Sequence, residues 1–587
     1  MTNQETDRIQ ATSSLSNQPN LSNSYNLSNS AILSSPINRS SPSNLSCPSN
    51  LSSLSKLRVS GDQLIDREGR QVILHGVNMV CKDPARGYVG AWTEEDFRFL
   101  RDRGMNVIRL GILWDGLEPE PGRINEALLD RIEAFIDMAE AAGLYVFLDM
   151  HQDLYGRRFA DGAPEWATLC EPDGYDNTGH VWSDAYLSST SVQTAFDRFW
   201  ENAPAPDGIG LQDHLAGVWR RVAERFGHRD CIVGYDLLNE PFPGTRAMDV
   251  QGAMVEGFLM AMAQGGTDAE RSSATNASAG EGILPDLSDA PANAGILPDL
   301  SDPDTLTAAW TDPEGRAQLL GMLTDRTLYQ SIADHMVPVN AIFDREVLSA
   351  WYQRAADAIR EVDTDSILLL EACYFSNMGV RSAIQPVLRN GARDPQQMYS
   401  PHGYDLIVDT EANDLWSPER VSVIFDQHEA ARRDHGWPML VGEWGAFWEE
   451  QATGRGCGTL EQADQLRRIF ETCGCNDTFW CYPDGGIAQQ NIDGFRYSDA
   501  IVRGVPVAVS GRLLSYQWDP ETGVFTCTWA DDGSGAESRF WVPGRVTEVQ
   551  AGTDAAWHME HSERGCTMRV AGAKMPESRT LHLRASQ

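Results

Sequence analysis

Between residues 57 and 503, short apolar runs alternate with longer amphipathic stretches. The runs are Val72–Asn78, Asn106–Ile112, Tyr145–His151, Ile232–Glu240, Ser366–Ala372, Met398–Tyr404, Pro438–Gly445 and Asp477–Tyr482. Runs of this length and composition predict strands buried on both faces, as in a parallel sheet. The stretches Thr93–Arg103, Glu126–Ala142, Val192–Phe226, Arg345–Glu361, Glu419–His435 and Leu460–Thr472 predict helices. Gly104, Gly143, Gly227, Gly436 and Gly474 stand where those helices stop. Eight strands in strict alternation with helices predict an α/β fold, a closed (β/α)8 barrel of the TIM type. A doubly wound open sheet is the alternative. It would carry a Gly-rich phosphate turn after its first strand, and the sequence has none there.

The flanks read differently. Residues 1–56 are rich in Ser and Asn, with recurring Asn-Leu-Ser, and have little to bury; they read as a disordered tail. Leu57 to Asn78 reads as a hairpin leading into the first barrel strand, which puts the barrel at 57–503. Residues 245–343 form an insertion. Its middle repeats Gly-Ile-Leu-Pro-Asp-Leu-Ser-Asp at 282–289 and 295–302, too few copies for a solenoid, and reads as a flexible loop. Its first part, Met254 to Ala263, is apolar and Met-rich; its last part, Arg316–Met336, has helical character. Residues 504–587 alternate β-rich runs with Gly/Asp turns and predict a C-terminal antiparallel β-sandwich.

Composition narrows the function. A formal net charge of −37 argues against nucleic acid and against electrostatic docking on an anionic membrane. Lys56, Lys82 and Lys574 are the three lysines, a bias that a saline habitat or a GC-rich genome would both produce. The 11 cysteines include Cys457, Cys473, Cys475 and Cys481, whose spacing fits no zinc pattern and suits free thiols or one local disulfide. No metal or organic cofactor is called for. There is no apolar run of ~20 residues and no N-terminal secretion signal, which points to a cytoplasmic protein.

Two of the apolar runs end in a glutamate: Tyr235-Asp-Leu-Leu-Asn-Glu240 and Leu440-Val-Gly-Glu443. Strand C-termini face the active site of a barrel. Glu240 and Glu443 therefore meet from nearly opposite strands, as glycoside hydrolysis requires. A separation of about 5 Å would give retention with Glu443 as nucleophile, and about 8 Å would give inversion. Glu240 suits the general acid, and Asn239 suits the sugar 2-hydroxyl. Gly442 and Gly445 let the backbone approach a ligand. Arg109 can hold Glu443 ionised. Lys82, His151, Gln152, Asp153, His402, Tyr404 and Trp480 fall at other strand ends, where Asp153 suits sugar hydroxyls and Trp480 a sugar face. Each has a structural reading when taken singly. Polar or aromatic groups at seven of the eight strand ends carry the functional one. A catalytically dead sugar-binding protein would normally lack one of the two carboxylates.

These motifs, with Asp149-Met-His-Gln-Asp153, Pro401-His-Gly-Tyr404, Gly162-Ala-Pro-Glu-Trp-Ala167, Ala195-Phe-Asp-Arg-Phe-Trp200 and Asp499-Ala-Ile-Val-Arg503, resemble glycoside hydrolase family 5. Within it the chain is most similar to the endoglycoceramidase branch. The resemblance implies a retaining enzyme that cuts the β-linkage between glycan and ceramide in glycosphingolipids. It implies Glu240 as acid/base, Glu443 as nucleophile, and Lys82, Asp153 and Trp480 as glycan contacts beside Asn239, His151, His402 and Tyr404. It implies no cofactor and a glycolipid as partner; peripheral contact with membrane and the oligomeric state stay open. A glucosylceramidase, a sterylglucosidase, or a β-glucosidase or endoglucanase without lipid preference is the alternative. Secretion, usual in this branch, is the alternative location.

Overall fold

The computed structural model describes residues 54–171, 175, 181–275, 309, 312–408, 415–445, 459–486, 501–551 and 555–586. The chain divides into two units, 1–51 and 52–587. The Ser/Asn tail of the first, the repeats at 282–302, and Cys47 and Cys457 lie outside the described residues.

Eight parallel strands form the barrel: β1 His75–Met79, β2 Val107–Leu113, β3 Tyr145–His151, β4 Ile232–Asp236, β5 Ile367–Glu371, β6 in two pieces (Gln397–Ser400 and His402–Gly403), β7 Leu440–Trp444 and β8 Asn476–Phe479. Every residue of these strands is buried, the consequence of helices outside and packed side chains within. Pairing of Asp477 with His75 joins β8 to β1. Pro401 interrupts β6 because it has no N–H for the ladder. The first piece pairs with β5 and the second with β7, and a bridge from Tyr399 to Met439 completes the ring.

The surrounding helices follow the sequence signals closely. α1 spans Glu94–Asp102 and α2 Glu126–Ala142. On α2 the Asn125 side chain accepts from the Leu128 N–H, Gly143 ends the helix at φ 77°, and Leu128, Ile132, Phe135, Ile136 and Ala139 form the buried stripe. The long helical region from Val192 to Phe226 consists of two helices, α3 Thr190–Trp200 and α4 Leu211–Phe226. Gly227 after α4 is not a left-handed stop: its φ is −61°. It is needed for space, since a Cβ there would stand 2.2 Å from Asp363 Oδ2.

The edges of the insertion are helical, in its last part as the sequence suggests. α5 runs Ala247–Thr275, α6 Pro313–Met322 and α7 Arg326–Phe343. α7 continues through a π turn, Asp344–Leu348, into α8, Ser349–Arg360. Val250, Ala253 and Phe258 of α5 share the barrel core with Ile332 and Met336 of α7. Tertiary packing therefore holds the first half of α5. α9 (Pro418–His435) and α10 (Thr459–Cys473) finish the barrel. No helix among the described residues is long and apolar enough to cross a membrane.

Two antiparallel sheets follow. β9 (Val505–Val509), β12 (Ser538–Pro543), β15 (Gly565–Val570) and β14 (Trp557–His561) lie in one; β10 (Arg512–Asp519), β11 (Val524–Asp531), β16 (Glu577–Ser586) and β13 (Arg545–Ala551) form the other. The hairpin read as the lead into the barrel belongs to the first sheet: Val72 pairs with Ala508 and Gln71 with Val509. Leu57, Leu64 and Leu74 pack with Val107, Phe147, Leu369 and Met398, sealing the barrel at its strand starts. The opposite end is left for the site. All nine described cysteines are unpaired, so Cys473, Cys475 and Cys481 form no disulfide with one another.

Candidate active site

Arg109 organises the strand ends. It points inward from β2 and is completely buried. Its Nε donates to Asp236 (3.1 Å), Nη1 to Asn78 (3.0 Å) and Glu443 (2.7 Å), and Nη2 to Asn239 (2.9 Å) and Glu371 (2.6 Å). Asp149 Oδ1 adds an ion pair at 2.8 Å. One guanidinium thus ties β1, β2, β3, β4, β5 and β7 together. A planar, permanently charged fork suits this; a lysine point charge does not.

Glu240 and Glu443 meet around His402. One oxygen of each carboxylate and a ring nitrogen of His402 lie within 4.8 Å of one another. His402 Nδ1 is 2.9 Å from Glu240 Oε1 and 3.7 Å from Glu443 Oε2. Its Nε2 is 3.2 Å from Glu371 Oε1, at an angle too bent for a hydrogen bond. Burial opposes a charge on this ring, but Glu371, Glu443 and Glu240 overcome that and lift its pKa well above the ordinary value. Glu443 also accepts from the Tyr404 hydroxyl at 3.1 Å. Burial pushes the Glu443 carboxyl up to about 7, against the pull of His402 and Arg109 and with the push of Glu240. Arg109 does bond Glu443, as expected, but its charge does not outweigh burial. Asn377 Nδ2 approaches Glu240 Oε1 at 3.4 Å, and its Oδ1 accepts from the His402 N–H at 3.1 Å.

A second cluster lies beside the pair. Lys82 is bonded to Asp153, stands 3.7 Å from Asp161, and sits 4.7 Å from the centre of the Trp480 ring. His151 stacks on the same indole: its centroid is 5.2 Å from that of Trp480, with planes 10° apart. Burial, then the Lys82 charge, hold the His151 pKa well below its usual value. The neutral ring donates Nδ1–H to Asp149 at 2.8 Å and leaves a buried Nε2 as an unpaired acceptor. Burial also raises Asp161, to about 8, despite Lys82 nearby. Aromatic face, cation, carboxylates and a free acceptor in one place match the two faces of a sugar, its C–H groups and its hydroxyls.

Three sets of side chains in this region have the donor atoms for a cation: His151, Asp153 and Asp161; Glu240, His402 and Glu443; Asp149, Asp236 and Glu371. Lys82, the charged His402 and Arg109 already offset the carboxylates in each.

The structure brings Glu240, Glu443, Arg109, His402, Tyr404 and Asn239 into one network and Lys82, His151, Asp153 and Trp480 into its neighbour. Asn239 is more engaged than expected: its Oδ1 accepts from Arg109 and its Nδ2 donates to Gln152 O at 3.1 Å. Gly442 makes room for the protein itself and not for a ligand, since a Cβ there would stand 2.9 Å from His402 Nε2. Sequence reasoning missed Asp149, Asp236, Glu371, Asn377 and Asp161. Glu371 had a signal: Ile367-Leu-Leu-Leu-Glu371 is a third apolar run ending in glutamate, and it fills the one strand end left unassigned.

The cellulase (glycosyl hydrolase family 5) profile matches residues 65–277 and 331–486, more than half of the 587. Endoglycoceramidase I of Rhodococcus hoagii (strain 103S) is 37% identical over 196 residues, 33% of this chain and 38% of that protein. Endoglycoceramidase of Cyanea nozakii is 33% identical over 210 residues, 31% of this chain and 41% of that one. The matched segments therefore span under half the length of either relative. Endo-glycoceramidase II from Rhodococcus sp., solved as a ganglioside GM3 complex, superposes over 90% of this chain and 100% of that one, with a TM-score of 0.63 and 21% identity, and shares the fold. On the strength of the profile, the chain belongs to glycosyl hydrolase family 5.

Proposed function

We propose that the protein is a retaining β-glycosidase that cleaves the bond between glycan and ceramide in glycosphingolipids. The observation that carries it is the approach of Glu240 and Glu443 to within 4.8 Å between oxygens. That spacing suits direct attack by one carboxylate and leaves no room for an intervening water. Glu443 attacks the anomeric carbon and forms a glycosyl-enzyme while Glu240 protonates the departing oxygen. Water then attacks with Glu240 as base. Arg109 and Tyr404 orient the nucleophile. His402, buried between the carboxylates, acts on them more than on the sugar. Asn239, with one N–H beyond its bond to Gln152, meets the 2-hydroxyl. Trp480, Lys82, Asp153 and His151 bind the glycan.

Support for a lipid aglycone comes from two sides. The relatives described above are named endoglycoceramidases. And α5, which starts shortly after Glu240, leaves Met248, Met260 and Met262 65%, 51% and 42% exposed. Flexible, polarisable side chains of this kind suit an acyl chain or the surface of a lipid aggregate.

The test is a panel of lactosylceramide, glucosylceramide, steryl glucoside and cello-oligosaccharide, with labelling by a 2-deoxy-2-fluoro glycoside. Release of intact lactose from lactosylceramide and a label on Glu443 are expected. Turnover of the monoglycosyl lipids alone would move the assignment to a glucosylceramidase or sterylglucosidase. Preference for cello-oligosaccharide would remove the lipid, and absence of label and of turnover would remove the enzyme.

A further inference from the structure

We propose that Glu371 is a positioning residue for the acid/base: its carboxylate fixes the backbone of Glu240 and sets a negative charge beside His402, so that proton transfer at Glu240 depends on it while attack by Glu443 does not. The proposal rests on the reading of Glu240 as acid/base and Glu443 as nucleophile.

Glu240 is not a strand residue. The ladder of β4 stops at Asp236, and Glu240 turns out of it at φ 43°, in the left-handed region that non-glycine residues seldom occupy. Such a conformation persists only where the surroundings over-determine it. β5 supplies the surroundings. Glu371 Oε2 accepts the Glu240 N–H at 2.7 Å, and the Tyr374 N–H donates to the carbonyl of Pro241 at 3.0 Å. The Tyr352 hydroxyl donates to the Glu371 carbonyl at 2.9 Å, so the clamp is itself held.

Glu371 also decides what faces the Glu240 side chain. Arg109 from β2, Asp149 from β3, Asp236 from β4 and His402 from β6 surround its completely buried carboxylate. His402 lies between Glu371 and Glu240, so the Glu371 charge helps keep the ring protonated on the nitrogen that bonds Glu240. The two catalytic carboxylates depend on Glu371 unequally. Arg109 retains Glu443, Asp236, Asn78, Asn239 and Asp149 if Glu371 is neutralised. Tyr404 bonds Glu443 independently. The Glu240 N–H has Glu371 for its partner.

In Glu371→Gln the new NH2 must face either the Glu240 N–H or the Arg109 and His402 pair, all of them donors. Kinetics with an alkyl β-glycoside and a 2,4-dinitrophenyl β-glycoside separate the two halves of the site, because only the alkyl group needs a proton to leave. The expected result is an ~10²-fold fall in kcat/KM for the alkyl glycoside, the scale of general acid catalysis, with the dinitrophenyl value within about threefold of the parent protein. Azide should raise kcat on the dinitrophenyl substrate in the variant alone, since it attacks the anomeric carbon of the glycosyl-enzyme without a base, giving glycosyl azide and releasing Glu443 as its carboxylate. Glu371→Asp, which keeps the charge but draws it back from the Glu240 N–H, should show the same split and serves if the Gln variant does not fold. Equal losses on both substrates, or no loss on either, would overturn the inference while leaving the function standing. Parent protein inert to both glycosides and unlabelled at Glu443 would overturn the function and the inference together.

Discussion

The two catalytic carboxylates are held by different physics. Glu443 is part of a strand: it lies in β7, its side chain is 7% exposed, and two donors of fixed geometry, Arg109 and Tyr404, grip it. Glu240 lies beyond its strand, is 16% exposed, and is held by a titratable ring, a long amide contact and a backbone bond to a third carboxylate. The contrast fits the tasks proposed for them. A nucleophile needs position and a lone pair in one place. An acid/base has to gain and lose a proton each turnover, so it needs partners that can follow its charge and a path toward solvent. The division between the sites is one of charge placement, and each experiment below either widens or erases it.

The largest effect is expected at the nucleophile. Glu443→Gln should lower kcat/KM by ~10⁴-fold or more on every substrate, whatever its leaving group, as loss of a covalent nucleophile does. Residual activity comparable on activated and unactivated glycosides would agree; retention of normal turnover would end the contrast. Glu240→Gln should cost ~10²–10⁴-fold on alkyl or lipid glycosides and much less on dinitrophenyl glycosides, with azide accelerating the latter. A uniform loss would place the two residues in the same role.

A smaller effect is a pH limb. Glu443 must be ionised to attack, and burial puts its carboxyl up at about 7. The pH profile of kcat/KM should therefore fall on the acid side with a midpoint near that value, and an acid limb near the ordinary glutamate range would show that burial is not in control. The smallest effect is on stability. A carboxyl raised in the folded state favours folding while it is protonated and loses that contribution as pH rises from its ordinary value of 4.5 to about 7. Glu443→Gln removes the group, so the variant should gain stability relative to the parent at pH 8 but not at pH 4, by roughly 1–3 kcal/mol in thermal or denaturant unfolding. The opposite sign would mean that the Arg109 pairing dominates.

Much of this was legible along the chain because a parallel barrel writes its strands as continuous apolar runs and places chemistry at their ends. Glu240, Glu443 and His402 were found that way; Arg109, read as a strand end too, lies inside β2, the third residue of Val107–Leu113, and reaches the site by its length. Glu371 ends a run of the same form, but nothing adjacent to it marks the run as catalytic, and a buried glutamate reads equally well as an ion-pair member. Asp149 and Asp236 are interior positions whose role depends on which guanidinium reaches them across the barrel. Asn377 sits in a single 3-10 turn, Ser376–Met378, whose place is set by packing. The N-terminal hairpin was misplaced for a related reason: its partner strand is more than four hundred residues away, and antiparallel pairing leaves no trace of its partner in local sequence.

The sequence alone determined the repeating strand–helix alternation, the barrel, and the residue types available at the strand ends, because burial on two faces and helix caps are local demands met by neighbouring residues. The tertiary structure decided the rest: that one arginine from β2 serves six strands, that His402 lies among three carboxylates, that Glu240 leaves its strand in a left-handed turn, and that the hairpin before the barrel and strands after it build one sheet. Charge interactions and strand pairings act through space, and their strength depends on distance and burial that only the closed barrel sets.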